Sequence, residues 1–164
     1  MSPSAEISLA ELSQLVGEKL LARHWRVATA ESCTGGGVAA AITSIAGSSA
    51  WFEYGIVSYA NHAKEKLLHV DAQTLLDEGA VSQSVVEQMI KGVLTLSGAE
   101  IAVAVSGVAG PSGGTADKPV GTVWMAWGLA SGITHAQCFH FSGDRSAIQQ
   151  QSVIEALRGL LRFL

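Results

Sequence analysis

The chain is poor in cysteine, proline, aromatic residues and charge, and each shortage excludes a class of protein. Its two cysteines, Cys33 and Cys138, stand far apart, with no CxxC pair and no clustered His/Cys spacing. Neither a disulfide framework nor a metal site is expected. Lys and Arg number 10 against 14 Asp and Glu, for a net charge of −4, and no basic run occurs. Nucleic-acid binders carry a basic stripe, so DNA and RNA are not expected partners. No apolar run reaches the length of a membrane span, and the opening MSPSAEISLAEL lacks the basic and apolar regions of a signal peptide. The expectation is a cytoplasmic protein with no membrane partner. Walker A and Rossmann glycine patterns are missing, as is a Gly-x-Ser-x-Gly elbow, and no His or Asp is spaced to make a Ser-His-Asp triad legible.

What the chain has in plenty is apolar residues, at 48%, and glycine, at 18 residues. A length of 164 residues makes one domain, 1–164, able to bury a core without staples. With only 15% charged residues and tryptophans that read as exposed, a homo-oligomer is expected.

Ser8 and Glu11 form a capping-box pattern ahead of Leu9, Leu12, Leu15, Val16 and Leu20 at helical spacing, so a first helix is expected to end near Arg23. A strand over 26–30 then feeds the stretch TAESCTGGG, Thr29 to Gly37, and a small-residue helix closed by Gly47 follows. Residues 51–59 read as a strand with Gly55 a candidate bulge, and a helix opening near Asn61 carries Lys64 one turn inside. Two more helices are expected, a short one over 71–77 and a longer one capped by Ser82. Ile101 to Val105 is an apolar run of the kind found in central strands, and it empties into the long loop VAGPSGGTADKP. A hairpin over 120–141 and a last helix from Ser142 complete an α/β pattern. It predicts a three-layer α/β/α sandwich around a mixed, mostly parallel sheet.

Chemistry concentrates at a few of these places. Ser32, Cys33 and Thr34 sit where a strand meets a helix through Gly35, Gly36 and Gly37, a turn whose N–H groups can face negative charge. The structural alternative is that Ser32 or Thr34 caps the helix. A serine needs a base, and a neutral lysine is one choice. Keeping a free lysine neutral at pH 7 costs about 4–5 kcal/mol, so Lys64 must be buried beside the site to serve. On sequence alone, before any resemblance, Lys64 on a helix reads as a solvated surface residue rather than a base, although Lys66 fills that ordinary role better. Arg145, in SGDR before the last helix, is placed either to hold a phosphate or carboxylate or to pair with Asp144 or Glu155. Ser106 and Gly107 end a strand at the edge where open α/β sheets place ligands.

Taken together, AESCTGG at 30–36, GSSAWFEYGIVSYANHAK at 47–64, GAVS at 79–82, VSGVAGPSGG at 105–114, KPVGTVWMAW at 118–127 and FSGDR at 141–145 closely resemble the CinA C-terminal domain family. The resemblance implies an amidase that hydrolyses nicotinamide mononucleotide to nicotinic acid mononucleotide and ammonia in pyridine nucleotide salvage, with no metal or cofactor. Carried over by position, it makes Ser32 the nucleophile and Lys64 the general base, with Tyr59 in the catalytic set. Thr34, Gly35, Gly36, Asn61, Ser106, Gly107, Gly110 and Arg145 fall on positions expected to hold substrate. N–H groups of the turn from Ser32 to Gly36 would stabilise the oxyanion, at about 3 kcal/mol per donor. The substrate phosphate is expected at Arg145 or at the loop from Gly110 to Gly114. Two departures stand out: Ala60, where many relatives have Ser or Thr, and Gln149, where many have a basic residue. Two other readings remain, a non-catalytic nucleotide sensor and an amidase for another small amide. The pairing of Ser32 with Lys64 disfavours the sensor, which needs neither an activated hydroxyl nor a buried amine.

Overall fold

The computed structural model describes residues 6–164. Met1 to Ala5, part of the opening stretch discussed above, lie outside the described residues. Among the described residues, six helices and five strands follow in the order α1 (Leu9–Arg23), β1 (Val27–Glu31), α2 (Gly37–Thr43), β2 (Phe52–Val57), α3 (Asn61–Leu68), α4 (Ala72–Glu78), α5 (Gln83–Ser97), β3 (Ile101–Gly107), β4 (Thr122–Leu129), β5 (Thr134–His140) and α6 (Arg145–Leu161). The sheet order is β2-β1-β3-β4-β5. β2, β1 and β3 are parallel neighbours, and β4 runs antiparallel to both β3 and β5. β4 alone therefore opposes the direction of the other strands. Among the described residues, no helix is long and apolar enough to cross a membrane.

Local chemistry sets the ends of these elements. Ser8 accepts from the Glu11 N–H while the Glu11 carboxylate accepts from the Ser8 N–H, so both halves of the capping box are present. Asp71 and Ser82 cap α4 and α5 through the N–H groups of Thr74 and Val85. Two expectations are corrected. α2 ends at Thr43 rather than at Gly47, which instead opens a short 3-10 turn over Ser48–Ala50. The register shift of β2 falls between Phe52 and Tyr54, opposite Val27 and Ala28, so the extra residue is Glu53 and not Gly55. Gly55 answers a different need. A Cβ there would lie 2.9 Å from the Phe52 ring and 3.1 Å from Ala39 of α2.

β3, buried along both faces, separates two cores. Val103 and Val105 face a core shared with α1, α2 and α6, while Ala102 and Ala104 face one shared with α3, α4 and α5. The tryptophans correct another expectation: Trp51 and Trp127 are buried, and Trp25 and Trp124 are half-buried. Trp127 points into the α6 side because Gly159 leaves it a slot, where an added Cβ would come 2.0 Å from the ring. Its indole donates to the Ala156 carbonyl at 2.9 Å. Trp51 fills the space over Gly17 in the same way.

Because β1, β2 and β3 are parallel, their C-terminal ends meet at one edge of the sheet. The chain crosses one face to reach β2 and returns across the other to β3 on the far side of β1. Open α/β sheets bind ligands at such an edge. The N-terminal ends of α3 and α6 open there too.

Candidate active site

Ser32 follows directly on β1 and is pinned to the neighbouring strand by its N–H, which donates to the Val105 carbonyl at 2.9 Å. Its hydroxyl Oγ lies 3.0 Å from Lys64 Nζ. Lys64 is 1% exposed, although it sits on a helix whose Lys66 is in solvent. The remaining partners of its amine are carbonyls, those of Ser58 at 2.8 Å and Tyr59 at 3.3 Å. Ser58 is held in turn by its N–H donating to the Glu31 carbonyl at 2.9 Å.

This environment sets the charge of the amine. Burial pushes the Lys64 pKa down to about 8, opposed only by the nearby Cys33 sulfur. Among the described residues no carboxylate forms an ion pair with it. Three acceptors surround the amine, the two carbonyls and the Ser32 oxygen, whose own hydroxyl reaches the Tyr59 carbonyl at 3.4 Å; once the amine is neutral, its two N–H groups can serve the carbonyls and leave the lone pair for the Ser32 proton. Cys33, the other thiol or hydroxyl beside Lys64, is disqualified as nucleophile, since burial lifts its pKa to about 12.

Glu31 was missed by sequence reasoning. It ends β1 at 1% exposure and accepts from the Thr34 hydroxyl at 2.6 Å, the Val38 N–H at 2.8 Å and the Ala39 N–H at 3.0 Å. It therefore caps α2 from outside the helix, because the N-cap position is Gly36 at φ 99° and offers no side chain. Neither Ser32 nor Thr34 caps that helix itself. The only sequence signal for Glu31 is a charged residue closing an otherwise apolar strand. Ser58 was missed in a different way, because it acts on Lys64 through its backbone carbonyl; Tyr59, expected in the catalytic set, reaches Lys64 through its carbonyl too.

A cavity of about 210 Å³ opens over the pair. Ser32, Tyr59, Asn61, Lys64, Ser106, Gly107 and Arg145 reach its wall, whereas Thr34, Gly35, Gly36 and Gly110 do not line it. The Thr34 hydroxyl is engaged by Glu31, the Gly35 N–H by the Ser32 carbonyl at 3.0 Å, and the Gly110 carbonyl by Arg145 at 2.7 Å. Arg145 also donates to the Tyr59 phenol at 2.9 Å. It forms no ion pair with Asp144, which caps α6, or with Glu155, which pairs with Arg158. The cavity wall carries two cationic groups, Lys64 and Arg145, and no acid. A second cavity, about 650 Å³, adjoins it through Ala109 and Arg145 and is bordered by Pro111, Val120, Asp144 and Gln149.

The CinA C-terminal domain model matches residues 9–164. The chain belongs to the CinA C-terminal domain family. It is 53% identical over 154 residues to the nicotinamide-nucleotide amidohydrolase PncC of Escherichia coli K12, covering 93% of this chain and 92% of that protein. It is 54% identical over 151 residues to PncC of Pseudomonas putida, covering 92% and 94%. The solved structure of a competence/damage inducible protein from Agrobacterium tumefaciens superposes with a TM-score of 0.93 at 40% identity, covering 99% of this chain and 98% of that one.

Ala60 and Gln149, the two expected departures, flank this site. Ala60 is the N-cap of α3 and makes no side-chain bond there, which forgoes about 1 kcal/mol of capping relative to Ser or Thr. Gln149 turns its amide toward the nucleophile turn and donates to the Cys33 carbonyl at 3.0 Å.

Proposed function

We propose that this single domain is a nicotinamide-nucleotide amidase that works by a Ser-Lys mechanism. The observation that carries the reading is the buried Lys64 amine 3.0 Å from the Ser32 hydroxyl, with no carboxylate to keep it charged. Neutral Lys64 takes the Ser32 proton as Oγ bonds to the carboxamide carbon of nicotinamide mononucleotide. The lysine returns that proton to the amide nitrogen, the C–N bond breaks and ammonia leaves. Water, deprotonated by the same lysine, then cleaves the ester and releases nicotinic acid mononucleotide. The step would serve pyridine nucleotide salvage.

The charge of the site supports a phosphorylated substrate over free nicotinamide. Among the described residues Arg145 hydrogen-bonds only to neutral acceptors, so its charge is available to an anion at the junction of the two cavities. Tyr59, held by Arg145, stands at the same mouth. The activities named for the PncC relatives support the same substrate.

The test is ammonia release from nicotinamide mononucleotide by the purified chain beside Ser32→Ala and Lys64→Ala. Activity in the parent and a loss of about a thousandfold or more in both variants is expected. A parent that binds the nucleotide without releasing ammonia would be a sensor, and the mechanism would fall.

A further inference from the structure

A nucleotide needs more room than the cavity over Ser32 and Lys64 offers. Pockets for small molecules run from about 300 to 1,000 Å³, and this one holds about 210 Å³. With the carboxamide at Ser32 Oγ, the pyridine ring takes up that space. The sugar and phosphate then leave it past Ala109 and Arg145, the residues that line both cavities. They enter the cavity of about 650 Å³, which is bordered by Pro111, Val120, Asp144 and Gln149. We propose that Gln149 reads the sugar there: its Oε1 accepts a hydrogen bond from a ribose hydroxyl, so the enzyme prefers a ribonucleotide to an analogue that lacks that donor. The inference rests on the amidase reading above.

The partner of the Gln149 amide decides which end is left for a ligand. Only the nitrogen can donate to the Cys33 carbonyl, at 3.0 Å, so that end is engaged and the oxygen is what the amide has to offer. Among the described residues Oε1 accepts from no protein group. Anchored to the residue after the nucleophile, Gln149 stays near the reacting carbon, and the sugar begins one pyridine ring away from that carbon. Charge then sorts the sugar from the phosphate. One Asp144 oxygen caps α6 through the Ala147 N–H, while the other accepts from no group among the described residues and leaves a carboxylate on the cavity wall. A carboxylate repels a phosphate but accepts from a hydroxyl. The phosphate therefore belongs with Arg145, and the hydroxyls with the acceptors of Gln149 and Asp144. The basic residue expected here from the family resemblance has donors and no acceptor, so it could accept nothing from a hydroxyl. Reading the sugar in this way is a property of this chain.

The test measures kcat/KM for nicotinamide mononucleotide and for its 2′-fluoro and 3′-fluoro analogues, each of which keeps the ring and loses one donor. The proteins are the parent, Gln149→Met and Gln149→Arg. In the parent, one analogue is expected to fall about tenfold below the natural nucleotide, the worth of a neutral hydrogen bond. In both variants that ratio should shrink to within about twofold of unity, because neither Met nor Arg offers a strong acceptor. Any intrinsic effect of fluorine on the amide is common to all three proteins and cancels in the comparison. Gln149→Arg retains a donor for the Cys33 carbonyl, so a ratio lost in both variants does not come from a loosened nucleophile turn. Loosening slows the nucleotide and its analogues alike and leaves the ratio where it was. Ratios equal in parent and variants would make Gln149 merely structural and overturn the proposal. A ratio that shifts in Gln149→Met and not in Gln149→Arg would assign the discrimination to the turn, with the same result. If one variant does not fold, the other is read against the parent alone. A parent that releases no ammonia from the natural nucleotide would remove the functional reading and this inference with it, whereas an active parent with unmoved ratios removes the inference alone.

Discussion

The two ends of β1 each meet a cation, and the protein treats them in opposite ways. At the N-terminal end Arg26 lies 3.2 Å from Glu53 and 3.6 Å from Glu100, with all three side chains at least a third exposed. Hydrogen bonding and the charge of Glu53, followed by Glu100, push the guanidinium pKa further up. At the C-terminal end Lys64 has carbonyls and a hydroxyl for company, no solvent and no carboxylate, and its pKa moves down to about 8. Pairing and water make a cation inert. Burial beside neutral acceptors makes it a base poised near physiological pH.

The contrast can be broken most severely at Lys64. Lys64→Met is expected to abolish ammonia release, a loss of about a thousandfold or more, while the fold survives because the substituted chain is apolar and of similar length. Removing the charge partner at the other end, with Glu53→Gln, should leave kcat unchanged.

Arg145→Ala comes next. Its expected effect is a rise of about tenfold to a hundredfold in KM for the nucleotide, with a smaller change in kcat, since a charge-assisted contact is lost away from the reacting carbon. Free nicotinamide, lacking the phosphate, should not feel this substitution, and steady-state assays on both compounds check it.

The pH dependence follows from the sign of the Lys64 shift. At pH 7 only about a tenth of the chains carry the neutral amine, so kcat/KM should climb with pH and level off above about 8. Stability has the same cause. Below pH 8 Lys64 is protonated in both folded and unfolded chains and its burial is unfavourable. Between about 8 and 10.5 the unfolded chain binds the extra proton, so the lysine contribution to stability rises with pH, by about 3 kcal/mol in total. Denaturant titrations across that window should show the rise in the parent and its absence in Lys64→Met. The smallest expected effect is at the wet end, where Arg26→Gln should leave the denaturation midpoint nearly unchanged.

The order of elements was legible because caps and periodicity are local: Ser8 with Glu11, Asp71, Ser82 and the apolar run into β3 all act within a few residues. The fate of Lys64 was not. In NHAKEKLL it shares a helix face with Leu68, which is buried, while Ala63 lies on the face of Leu67, which is exposed, and only packing against α5 chooses between them. Glu31 was hidden for a similar reason, since its donors come from a helix that folds back on β1. The tryptophans misled because their slots, over Gly17 and Gly159, belong to other elements far along the chain. Ser32 and Lys64 were candidates from the residues themselves, motif resemblance gave them their roles, and the structure adds what surrounds the pair.

The most direct test of the account is to titrate Lys64 itself, following its 13C-labelled ε-carbon by NMR in the parent and assigning the signal by its loss in Lys64→Met. A midpoint near 8 is the result the account predicts. A midpoint at or above the ordinary lysine value of 10.5 would contradict it, because an amine charged throughout the working range could not take the Ser32 proton.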